Sequence, residues 1–147
     1  MKTILLAIAL VLGASAFGEA RALTESVRRV AIVIDQADPQ KMQTALSIAI
    51  NRARMYAASG ETADVRIVAH GDGLRLLRED TTPDLRRLKF AAQSFASISF
   101  LACLTSQRLA ARSEGRAPTI LSFAESVPNA VVTVETLEEE GWPIIRL

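Results

Sequence analysis

The 147-residue chain has one cysteine, one histidine, one tryptophan and one tyrosine. Each scarcity excludes something. A single thiol, Cys103, cannot close an internal disulfide, so it is inert, paired with another molecule, or a working nucleophile. One His and one Cys fall short of a zinc set, and no metal site is expected. With only 5% aromatic residues, the core must be filled by Ala, Val, Leu and Ile, and a chain that is 50% hydrophobic is not disordered. No phosphate loop is present. His70-Gly71-Asp72-Gly73 lacks the third glycine of a dinucleotide fingerprint and the lysine of a P-loop, and Asp72 would repel an anion. Its glycines read as turn geometry, and no cofactor is expected. Neither sign of charge dominates: 17 basic residues face 16 acidic ones. That excludes a nucleic-acid partner and a polybasic lipid anchor.

What is present begins at the amino terminus. Met1-Lys2 is a short positive start, Ile4 to Leu12 is uncharged and apolar, and small residues follow at Ala14-Ser15-Ala16 and Ala20-Arg21-Ala22. These are the parts of a secretory signal, and the apolar run is too short for a spanning helix. An uncleaved anchor is the alternative. Cleavage is expected after Ala22, with Ala16 as the other choice, leaving a domain over residues 23–147 of net charge zero. The location expected is periplasmic or secreted, with no stable membrane association after cleavage.

Downstream, β-branched runs alternate with helical periodicity. Val30 to Ile34 reads as a strand covered on both faces. Asp38-Pro39 opens a helix with Met42, Ala45, Leu46, Ala49, Ile50 and Ala53 on its inner face, ending at Ser59-Gly60. Val65 to Ala69 is the second strand and Leu74 to Arg78 a short helical turn. A helix capped by Thr81 or Thr82 runs to about Ser94. Ser97 to Leu101 is the third strand and Gln107 to Arg112 the next helix. Thr119 to Phe123 is a fourth strand, Asn129 to Glu140 a helix, and Trp142 to Arg146 a last strand held to the edge by Pro143. The order predicts an α/β domain with a mostly parallel sheet, helices on both faces and right-handed crossovers.

Such sheets bind ligands beyond the carboxyl ends of their strands. Three strands here end at Asp35, His70 and Cys103, which topology sets along one rim. Cys103 at a helix start is suited to a stabilised thiolate, His70 to taking its proton, and Asp35 to orienting the imidazole. The plainer alternatives are a buried small hydrophobe for Cys103, a loop histidine capping backbone groups for His70, and a turn residue for Asp35. Arg75, Arg78, Arg86, Arg87 and Lys89 read as a solvated helix face, with attraction of an anionic sulfur species as the other use.

The strand Val30 to Asp35 with Asp38-Pro39-Gln40-Lys41-Met42, the stretch Val68 to Leu77, Phe100-Leu101-Ala102-Cys103, and Leu137-Glu138-Glu139-Glu140-Gly141-Trp142 together resemble the DsrE/DsrF-like sulfur-relay family. The similarity spans nearly all of residues 28–147. It implies a flavodoxin-like three-layer domain with a five-stranded, mostly parallel sheet, assembled as a homo-oligomer, a trimer or hexamer. It also implies a sulfur carrier or sulfurtransferase subunit that holds sulfur as a persulfide on Cys103, with sulfur donor and acceptor proteins as partners. Many members carry an Asn-Thr pair after the cysteine; here Leu104-Thr105-Ser106 follows. The alternative function is a non-catalytic oligomeric binding or assembly module with a buried structural cysteine. A nucleotide-binding enzyme ranks last, for want of a phosphate loop.

Overall fold

The computed structural model describes residues 26–147; the expected signal segment, residues 1–22, lies outside them. In chain order the elements are β1 (Arg28–Ile34), α1 (Pro39–Ala58), β2 (Ala63–Ala69), a 3-10 helix (Gly71–Leu77), α2 (Leu85–Ser94), β3 (Ile98–Cys103), α3 (Leu104–Glu114), β4 (Ala124–Val127), α4 (Ala130–Glu139) and β5 (Ile144–Arg146). The strands form one sheet in the order β4-β3-β2-β1-β5, and every neighbouring pair is parallel. This is a flavodoxin-like three-layer α/β arrangement.

The strand order decides where each helix lies. From β1 to β4 the chain steps in one direction, so right-handed crossovers stack the intervening helices on one face. The return from β4 to β5 runs the other way and puts α4 on the opposite face. The core divides accordingly. Ile32, Ile34, Ile67, Phe100 and Ala102 pack against Met42, Leu46 and Ala49 of α1 and Leu88 and Ala91 of α2. The alternate residues Ala31, Val33, Val68, Leu101 and Cys103 pack against Ala130, Val134 and Leu137 of α4 and against Trp142. Beside that smaller cluster, the Arg66 guanidinium lies 4.4 Å from the centre of the Trp142 ring, a cation–π contact that covers one end of it.

Local signals set the boundaries. Asp38 caps α1, its Oδ1 accepting from the N–H groups of Gln40 (2.8 Å) and Lys41 (3.2 Å), with Pro39 in the first turn. An Asp38→Ala variant is expected to lose about 1 kcal/mol of stability. Urea unfolding checks this, the midpoint falling at unchanged slope. The α2 cap is Asp84, accepting from Arg87 N–H at 2.9 Å, and not Thr81 or Thr82. A carboxylate one residue before the helix meets its free N–H groups better than a hydroxyl further back.

Thr119 to Phe123 is not a sheet strand. Ile120 instead makes an isolated antiparallel bridge with Arg78, and β4 forms later, over Ala124–Val127. The apolar run is satisfied by packing Leu121 into the larger core, which needs no ladder.

The basic residues near Arg78 do not form one solvated face. Arg78 is 4% exposed. It donates to both carboxylate oxygens of Asp80 (3.0 and 2.8 Å) and both of Glu114 (2.6 and 2.7 Å), tying the end of α3 to the loop after the 3-10 helix. Its hydrogen bonds hold Asp80 down at about 2 and Glu114 below its ordinary value. Unfolded carboxylates titrate near about 4. The pair therefore stabilises the fold fully above that pH and less as pH falls toward 2. An Arg78→Met variant is expected to show a shallower acid loss of stability than the parent across that window, measured by urea unfolding at stepped pH.

Candidate functional site

At the carboxyl rim, register builds a row. Ile34 pairs with Ala69, and Ala69 with Ala102. The next residues along the three strands are Asp35, His70 and Cys103. They follow the alternation of Val33, Val68 and Leu101, so they belong to the α4 side of the sheet. The spatial strand order β4-β3-β2-β1-β5 reverses between β1 and β5, beside Asp35, and Cys103 lies two strands away at the end of β3. After β3 the chain turns to α3 on one face; after the adjacent β4 it turns to α4 on the other. Two helix amino termini thus diverge from neighbouring strands, and Cys103 lies between them.

The thiol's surroundings follow from this position. Cys103 is the residue before α3, and its Sγ accepts a hydrogen bond from the N–H of Ala130, the first residue of α4, at 3.4 Å. Ser106 comes one turn later. Its Oγ accepts from Gly71 N–H at 2.8 Å, which leaves the hydroxyl proton free for the sulfur. Burial pushes the thiol up, since Cys103 is 4% exposed. The Ser106 hydroxyl and the backbone N–H groups of Ser106, Ala130 and Thr105 outweigh that penalty, and the thiol lies below its ordinary value. Both helix dipoles act in the same sense.

The glycine turn serves this arrangement. Gly71 has φ of +53°, and a Cβ there would come 3.0 Å from the Asp35 carbonyl oxygen. At Gly73 a Cβ would overlap the backbone and side chain of Ile34. The 3-10 helix thus crosses close over the end of β1, which puts Gly71 N–H within reach of Ser106.

Asp35 and His70 meet in a cavity of about 320 Å³ beneath α4, lined also by Val33, Val131, Val134, Glu135 and the ion pair of Glu138 with Arg146 (2.8 Å). Cys103 does not line it. The thiol shares the apolar cluster of Val33 and Val134, which form part of the cavity wall. Among the described residues no hydrogen bond joins His70 to Cys103 or Asp35 to His70, and no group of three or more His, Cys, Asp or Glu side chains is disposed to hold a metal.

Sequence reasoning missed Ser106, Ala130, Glu135, Glu138 and Arg146. Ser106 had a readable signal: it follows Cys103 by three, the spacing at which a helix's third residue reaches back to its cap. The Ala130 donor had none, because it depends on which strand neighbours β3.

No family model matches the chain, and no curated protein matches it. Among solved structures it is similar to a protein of unknown function from Methanobacterium thermoautotrophicum, with a TM-score of 0.61 and 23% sequence identity over 82% of this chain and 99% of that one. The likeness shows the fold.

Proposed function

We propose that this domain is a sulfur carrier or sulfurtransferase subunit that holds sulfur on Cys103. The observation that carries the reading is the place of the one thiol, at the residue before α3 and accepting from the first N–H of α4 at 3.4 Å, with Ser106 one turn on. Donors arranged in this way stabilise S⁻, the form that attacks sulfane sulfur. In the first step the Cys103 thiolate attacks the outer sulfur of a donor persulfide, forming Cys103–S–SH and releasing the donor thiolate. In the second, an acceptor thiolate attacks that outer sulfur, and Cys103 leaves as thiolate. Neither step consumes an oxidant or a reductant. Because Cys103 is 4% exposed, transfer requires the start of α4 to draw back from the sulfur. The resemblance adds a homo-oligomer, a trimer or hexamer, to this reading, and the amino-terminal sequence adds export. Exposed apolar side chains at Phe90, Leu109 and Val132 are compatible with self-association, and the sedimentation mass tests it.

A second reading, a binding or assembly module with a structural cysteine, is favoured by that same burial. Intact mass after incubation with polysulfide separates the two. The carrier gains one sulfur atom in the native state, and Cys103→Ser gains none. A parent protein that stays unmodified until denatured overturns the carrier reading.

A further inference from the structure

The cavity beneath α4 is separate from the thiol, and its chemistry points to a different occupant. Its volume, about 320 Å³, lies at the lower end of small-molecule pockets. Val33, Val131 and Val134 give it an apolar wall. The charges are unequal. The Arg146 guanidinium is already paired with Glu138 at 2.8 Å. Asp35 and Glu135 come from opposite sides, one from the end of β1 and the other from α4, and neither side chain has a partner among the described residues. An anion entering here would face two unpaired carboxylates, with the His70 imidazole beside them and the Arg146 guanidinium already paired. A bare divalent ion would lack a ligand set, as among the described residues no three carboxylate, thiol or imidazole groups are disposed to hold one. An ammonium on a short alkyl chain matches both halves, its charge toward the carboxylates that line the cavity and its methylenes on the valines.

We propose that this cavity binds a small organic cation, a primary amine of a few carbons, held by Asp35 and Glu135. The site stands independently of the sulfur reading.

The test titrates the protein with n-butylamine, following backbone amide shifts, and compares n-butanol and butyrate as neutral and anionic isosteres. Butylamine is expected to shift the amides of Asp35, Val131 and Glu135 in a saturable way, and the two isosteres are expected to bind far more weakly. Affinity rises from methylamine to butylamine, by up to roughly fourfold for each methylene that is buried. Asp35→Asn and Glu135→Gln each weaken butylamine by about threefold to fivefold, as expected for partly solvated charge pairs. Both residues are exposed, so the variants fold. Cys103→Ser binds as the parent does. Butanol binding as well as butylamine, no saturable shift with any amine, or unchanged affinity in both carboxylate variants would each overturn the proposal.

Discussion

Gly73→Ala is expected to destabilise the fold by about 3 kcal/mol, the cost of forcing an added carbon into a packed interior with little room to relax. The new Cβ would occupy space filled by the Ile34 carbonyl and side chain, and both sit in the middle of the larger core. Backbone at the end of a central strand cannot shift without disturbing the pairing of Ile34 with Ala69. The control is Gly115→Ala, after α3. There φ is +71° and a Cβ meets nothing within 4 Å, so only conformational strain is felt. That strain costs about 1 kcal/mol. Urea unfolding of the two variants separates the contributions. Gly73→Ala carries a second expectation: lifting the 3-10 helix off β1 draws Gly71 N–H away from Ser106, so sulfur uptake by Cys103 slows even in the fraction that folds. Equal losses for the two glycine variants would mean that the close crossing does not hold the rim together.

Ser106→Ala is expected to slow sulfur uptake at neutral pH by about tenfold, the worth of one hydrogen bond to a charged group. The hydroxyl is one of the groups that hold the Cys103 thiol below its ordinary value, and the methyl that replaces it cannot take that part. The variant also leaves Gly71 N–H without its acceptor, so some stability is lost with the rate. The pH dependence distinguishes the two effects. Cys103 titrates below its ordinary value in the folded chain. Its ionisation therefore adds stability that is complete above the unfolded thiol's pKa, near about 8.5, and disappears as pH falls through the folded value. The stability difference between the parent and Cys103→Ser should widen as pH rises toward that limit. In a Ser106→Ala background the widening should be smaller.

Much of the fold could be read from local pattern, because the forces involved are local. The β-branched run of β1 and the Asp38-Pro39 start of α1 each carry their own reason. So do the amphipathic period of α1 and the rim positions of Asp35, His70 and Cys103. The failures came where tertiary contacts outweighed local preference. Thr119 to Phe123 has strand character, yet it spends its apolar side chains on the core beneath the 3-10 helix, while the less strand-like Ala124 to Val127 pairs with β3. Arg78 looked like one charge on a solvated face. It is buried because Asp80 and Glu114, the latter 36 residues away, converge on it. The rim was legible as a row but not as chemistry. Register aligns the three side chains, whereas α4 assigns Asp35 and His70 to a cavity and encloses Cys103 among helix starts. That division depends on the position of β4 beside β3, which no residue type announces.

The central claim is that one enclosed sulfur is kept ionised by the donors around it. Titrating the native protein by the ultraviolet absorbance of its thiolate, with Cys103→Ser as the blank, measures this directly. The thiolate signal should appear at a pH below that of an ordinary free thiol, and Ser106→Ala should move it upward. A signal that emerges only at or above the ordinary value, or only on unfolding, would contradict the claim and leave Cys103 as packing.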